Sequence, residues 1–143
     1  METRAVDARS YFEDVDLGDV LETPAITLTE AHAAIYRGLT AETADEPHAV
    51  PDLLTLCMSI GLGWRVAKAP LAVLAFLTLD WQVIRAPRIG DTIHSVSRTA
   101  VKRPMREGGI IVEERDIIDQ HGELLQRGRF TFLVARRPRD PTC

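Results

Sequence analysis

Cysteine is almost missing from this chain. Only two stand in 143 residues, Cys57 inside an apolar run and Cys143 at the very end. A core position and a terminal one make a poor disulfide pair, so both read as reduced thiols and no cross-linked scaffold is expected. No basic residue flanks Cys57 in sequence, so it reads as a small core hydrophobe rather than a nucleophile. An excess of positive charge is missing too: 17 Lys and Arg against 21 Asp and Glu leave a net charge of -4. No domain-wide field exists to displace counterions from phosphates, which excludes a general nucleic-acid binder. No stretch reaches the ~18 apolar residues that would span a bilayer. "METRAVDARSYFEDVD" is charged and lacks the apolar centre of a signal peptide, so a cytoplasmic protein without membrane contact is expected. The four His residues are scattered without ligand spacing, so neither a metal nor another cofactor is expected. "GLGWRV" is no phosphate loop, because its glycines fall inside a helical pattern with no strand before them.

What is present is an ordinary globular balance, 45% hydrophobic and 27% charged. The length suits one domain, able to bury roughly two-thirds of its unfolded surface. Residues 1–10 read as a loose leader and 137–143 as a basic tail. "LETPAITLTE" is strand-like and runs into a helix start. Thr27 and Glu30 have capping-box spacing, with Thr29 as the other candidate cap, and the helix spans about 30–38, ending near Gly38.

A second helix is predicted over 52–67. Pro51 and Asp52 suit a helix N-terminus. Leu53, Leu54, Leu56, Cys57, Met58, Ile60, Leu62, Trp64 and Val66 then cover nearly the whole circumference. A helix apolar all round should be buried. The remainder is strand-rich. Val73, Ala75, Leu77, Leu79, Trp81 and Val83 alternate on one face. "RIGDT" turns into "IHSVSRTAVKR", and "QHG" joins the last two strands with Gly122 at the positive-φ position. A strand, a short helix, a long buried helix and about four antiparallel strands are best satisfied when the sheet wraps the helix. This is an α+β hot-dog fold.

Three segments carry a family resemblance. "YFEDVDLGDVLETPAITLTEA" (11–31), "LAFLTLDWQVIRAPRIGDTI" (74–93) and "IVEERDIIDQHGELLQRGRFTFLV" (111–134) resemble the opening segment, the strand with its "P-x-x-x-GDT" turn, and the closing hairpin of the MaoC-like dehydratases, which include the (R)-specific enoyl-CoA hydratases. The likeness runs from about residue 10 to 136. It implies hydration or dehydration of an acyl thioester carried on coenzyme A or an acyl carrier protein, without a cofactor, by a homodimer.

The family's "G-D-x-N-P-L-H" motif supplies an Asp and a His that act together. An "HG" pair then opens the central helix and holds the thioester oxyanion on a backbone N–H. Here Ala41-Glu42 stands at Gly-Asp, His48 follows six residues later directly after Pro47, and Pro51-Asp52 occupies the "HG" place. By that resemblance the catalytic candidates are His48, with Glu42 or Asp45 as its carboxylate partner, and Asp52. Leu53 at the helix opening and Arg85 and Arg88 after the long strand are candidates for holding substrate. Lys102, Arg103 and Arg106 are further candidates for coenzyme A phosphates. Three rival readings stay open: thioester hydrolysis with Asp52 or Glu42 as base, a non-catalytic subunit that binds a ligand or stabilises a partner, and an unusual reaction on a related small substrate in a pocket reshaped by the short loop. His32 and His121 read as surface residues and His94 as half-buried.

Overall fold

The structure is a computed structural model that describes residues 8–43 and 46–140. After a one-turn 3-10 helix (Phe12–Asp14) the elements run β1 (Val20–Glu22), β2 (Ile26–Thr27), α1 (Glu30–Thr40), α2 (Asp52–Gly63), β3 (Val73–Val83), β4 (Thr92–Met105), β5 (Gly108–Ile118) and β6 (Leu124–Val134). All pairings between strands are antiparallel, in the order β1-β4-β5-β6-β3, with β2 on the other end of β4. The sheet curls round α2, and the chain has the expected hot-dog fold.

Local chemistry accounts for the element boundaries. Thr29, not Thr27, caps α1: its Oγ1 accepts from the His32 N–H at 3.4 Å, while His32 Nδ1 accepts from the Thr29 N–H at 3.1 Å. The helix passes Gly38 and stops at Thr40, where Ala41 turns left-handed and its N–H bonds the Arg37 carbonyl. In α2, Pro51 is the N-cap and Asp52 the first helical residue, with no side-chain cap bond. Asp52 therefore does not cap this helix. The helix ends at Gly63, four residues short of the predicted end. Gly61 and Gly63 weaken it, and tight bonds from Trp64 N to Gly61 O and Arg65 N to Leu62 O close it. Gly122 has φ +77° in the β5–β6 turn, as its position predicts.

The core lies on the concave face in two parts. One joins Leu28, Ala33, Val50, Leu54, Ile93, Ile117 and Leu125. The other holds Phe12 and Val15 against Ile111 and Val134. Gly109 makes room for the second part, since a Cβ there would lie 2.0 Å from the Phe12 ring. Ser10 is buried and tied to Ala69 and Pro70, so the leader is anchored by its last residue; residues 1–7 lie outside those described. At the other end Arg137 pairs with Asp14.

Two expectations about packing are corrected. The sheet covers only one side of α2. Leu54, Thr55, Leu56, Ser59 and Leu62 are buried, whereas Leu53, Cys57, Ile60 and Trp64 form an exposed apolar stripe along the other side. Cys57 is therefore not a core residue in the single chain. On β3, register shifts between Val73 and Ala75 and between Phe76 and Thr78 break the strict alternation. Phe76, outside the predicted face, brings its ring to 5.5 Å from Phe132 and 5.9 Å from Phe130.

Candidate functional site

The loop between the helices brings chemistry to the open end of α2. His48 sits at φ +66°, a left-handed conformation uncommon for His. Neighbouring contacts hold it there. The His48 carbonyl accepts from the Ile89 N–H at 3.0 Å, Ala49 bridges Arg88, and Arg37 Nη2 donates to the Ala49 carbonyl at 3.0 Å. The imidazole is aimed back at the start of α1, where Nδ1 lies 3.2 Å from Glu30 Oε1. Both side chains are open to solvent, 65% and 62% exposed. The carboxylate partner of His48 is thus Glu30, not Glu42, and Asp45 lies outside the described residues. Sequence reasoning missed Glu30 because it was assigned to helix capping; 18 residues separate the pair.

Glu42 and Asp52 instead line a shallow cleft of about 350 Å³ with Arg37, Glu46 and Pro51. Tyr36 faces them. Burial first, then a hydrogen bond to Glu42 and the nearby negative charges of Glu42 and Asp52, push the Tyr36 phenol above its ordinary value. The first N–H groups of α2 have no intrahelical acceptor until Leu54 N reaches the Pro51 carbonyl at 3.1 Å. The N–H groups of Asp52 and Leu53 therefore present the positive end of the helix dipole at this end of the molecule. Gln126, wholly buried on β6, fixes that end by donating to the Asp52 carbonyl at 3.1 Å while accepting from Trp81 Nε1 at 2.9 Å.

The remaining candidates are placed apart. Arg85 pairs with the buried Asp119 and with Glu123, at 2.6 Å from the latter, so its guanidinium is occupied by the β5–β6 turn. Burial would raise the Asp119 carboxyl, but the Glu123 and His121 N–H groups and then the Arg85 charge hold it below the usual range. Arg88 is exposed beside the loop, its backbone N–H bonded to Asp91. Lys102 lies over the Phe12 ring, and Arg103 and Arg106 are exposed on the β4–β5 hairpin. His94 is half-buried 3.3 Å from Glu22, and His121 is exposed. Among the described residues no cluster of three or more His, Cys, Asp or Glu could hold a metal, and no helix is long and apolar enough to cross a membrane.

No protein-family model and no curated protein matches the sequence. Solved structures do. The chain is 22% identical to a monoamine oxidase regulatory protein from Archaeoglobus fulgidus over 91% of its length and 97% of that protein, with a TM-score of 0.81. A MaoC-like dehydratase from Rhodospirillum rubrum matches at 19% identity, 90% and 99% coverage and a TM-score of 0.73. A Mycobacterium tuberculosis protein described as having a double hot-dog fold matches at 21% identity and a TM-score of 0.72; there 94% of this chain covers 47% of the other. The fold is that of the MaoC-like hot-dog proteins.

Proposed function

We propose that this chain is a MaoC-like enzyme that hydrates a trans-2-enoyl thioester, or dehydrates the 3-hydroxyacyl thioester, and works as a homodimer. The observation that carries the reading is the His48–Glu30 pair, locked in the loop that leads into the open N-terminus of α2. His48 takes a proton from water, whose oxygen bonds to Cβ. The Cα=Cβ electron pair moves toward the thioester oxygen, held by the Asp52 and Leu53 N–H groups. The proton kept by the His48–Glu30 pair then returns to Cα, and no further reactant is needed. The acyl group would be borne on coenzyme A or an acyl carrier protein, with Arg88 the nearby exposed cation for either.

Dimerisation is supported by what the single chain leaves open. β3 is the sheet edge, and Val73, Leu74, Phe76, Leu77, Leu79 and Val83 along it are exposed. The stripe of Leu53, Cys57, Ile60 and Trp64 is exposed as well. A long apolar edge is a liability unless something pairs with it. A second copy of this chain would also enclose the solvent-open His48.

One observation favours a second reading. Glu42 and Asp52 share a cleft at the same helix end, where a carboxylate would activate water against the thioester carbonyl. The test is to offer enoyl thioesters of several acyl lengths on both carriers. Loss of enoyl absorbance without thiol release supports hydration. Thiol release without hydration transfers the role to Glu42 and Asp52. Neither reaction, with binding retained, leaves a ligand-binding subunit.

A further inference from the structure

Alternate residues of β5 face opposite ways. Ile111, Glu113, Arg115 and Ile117 point toward the core, where Glu113 and Arg115 pair with each other. Glu114 and Asp116 therefore point outward, onto the sheet face turned away from α2. The strand register extends each of them into a row across four strands. One row reads Asp80, Arg129, Glu114, Arg98 from β3 to β4. The next reads Gln82, Arg127, Asp116, Val96.

Within the chain only the middle of each row is satisfied. Arg129 pairs with Glu114, and Arg127 makes two hydrogen bonds of 3.1 Å to Asp116. Such exposed cross-strand pairs are ordinary and weak. The ends of the rows carry more information. Asp80 and Arg98 are exposed, opposite in charge, and without an ion-pair partner among the described residues. Gln82 and Val96, at the ends of the second row, are neutral.

A row that reads minus, plus, minus, plus is its own complement when reversed. A two-fold axis along the strands, between β5 and β6, makes that reversal against a second copy. Asp80 then meets Arg98 of the second copy, Arg129 meets its Glu114, Arg127 its Asp116, and Gln82 its Val96. Every charge faces its opposite, and the neutral ends face each other. An axis across the strands would instead set Arg129 against Arg127 and Glu114 against Asp116, so the pattern fits one docking only. The six charged residues line a shallow depression of about 610 Å³, with room for the long side chains of an opposing face. We propose that two copies of this chain associate through these outer sheet faces, about the axis between β5 and β6. The contact uses the face of the sheet rather than the β3 edge, and it stands apart from the thioester reading. Four strands about 4.8 Å apart make a face only about 15 Å wide, so the association is weak and governed by salt.

The test is made on the full chain carrying Leu77→Glu and Leu79→Glu, which put like charges on the β3 edge of both copies, so that remaining association comes from the outer face. Sedimentation over a dilution series should show pairs at about 0.01 M salt, where charges act over about 30 Å, and single chains at about 1 M, where they act over about 3 Å. Asp80→Arg and Arg98→Glu are then added, each to a separate preparation. Each sets like charges against each other at two places in the pair and leaves Arg129 paired with Glu114, so each should weaken association at least about tenfold. An equal mixture of the two restores opposite charges at every place and should associate as well as the parent. Single chains at every salt concentration in the parent overturn the proposal. So does a mixture no better than its components, or pairing that survives either reversal. Should a reversal unfold the sheet, Asp80→Asn with Arg98→Gln removes both end charges without repulsion; pairing weakened by at least about threefold supports the docking, and unchanged pairing overturns it.

Discussion

Gln126 of β6 holds the first residue of α2: its side-chain amide donates to the Asp52 carbonyl at 3.1 Å. The same side chain accepts the Trp81 indole N–H at 2.9 Å, so one buried amide ties the sheet, the edge strand and the start of the helix together. Gln126→Leu keeps the volume but strands both partners. It should cost about 1–3 kcal/mol in denaturant unfolding. Any thioester activity should fall with it, because the N–H groups of Asp52 and Leu53 lose their fixed direction. An unchanged midpoint would show that water replaces the amide.

His48→Asn tests the proton-transfer pair without disturbing the loop, since Asn tolerates a left-handed backbone. Hydration should fall by about 10²-fold or more with the dimer intact. Glu30→Gln should give a smaller loss in the same direction, and the double variant should lose less than the product of the two, as expected of residues that act as a unit. Normal hydration by both single variants would remove the pair from the mechanism.

Asp119 provides a pH-dependent clamp on the β5–β6 turn. Its carboxylate accepts the His121 and Glu123 N–H groups at 2.8 and 3.0 Å and pairs with Arg85. Because its folded-state value is depressed, the stability it contributes is present above the unfolded value of about 3.9 and is lost as pH falls through the folded one. Asp119→Asn should therefore be less stable than wild type by about 1–3 kcal/mol at neutral pH. The gap should close in acid. A gap independent of pH would mean that shape, not charge, is what Asn loses.

The sequence carries the architecture better than the site. An apolar helix beside alternating strands leaves few ways to bury both, and the sheet does pack on that helix, though along one side only. Apolarity does not say what covers it: Leu54 and Cys57 look equally core-like in sequence, yet one meets the sheet and the other faces outward. The His48–Glu30 contact was illegible because a left-handed residue and a bridge from Ala49 to Arg88 set the direction of the imidazole, and neither leaves a local signature. Glu113 and Arg115 were legible in principle. Two charges at inward positions of an Ile-rich strand are a detectable break in period two, though only once the inward face is known.

Charge on the β3 edge should separate the chains. Leu77→Glu with Leu79→Glu places like charges on the exposed edge of both copies without emptying the core. Sedimentation at micromolar concentration should give a dimer for wild type and a folded monomer for the variant. A monomeric wild type would remove the dimer, and with it the enclosure of His48 by a second copy.

Cys57 offers a direct probe of which surface the second chain covers. It stands on the exposed side of α2 in line with Leu53, Ile60 and Trp64, the last 67% exposed in the single chain. With Cys143→Ser in place, only the Cys57 thiol remains to react. If the dimer covers this stripe as well as β3, a thiol reagent reaches Cys57 only when the interface opens. An opening free energy of only about 1.4 kcal/mol already slows labelling about tenfold. Wild type should therefore label at least that much more slowly than the Leu77→Glu, Leu79→Glu monomer, and the rate should rise on dilution toward dissociation. Equal rates in a confirmed dimer would confine the interface to the strand edge. The α2 stripe would then be left open to solvent.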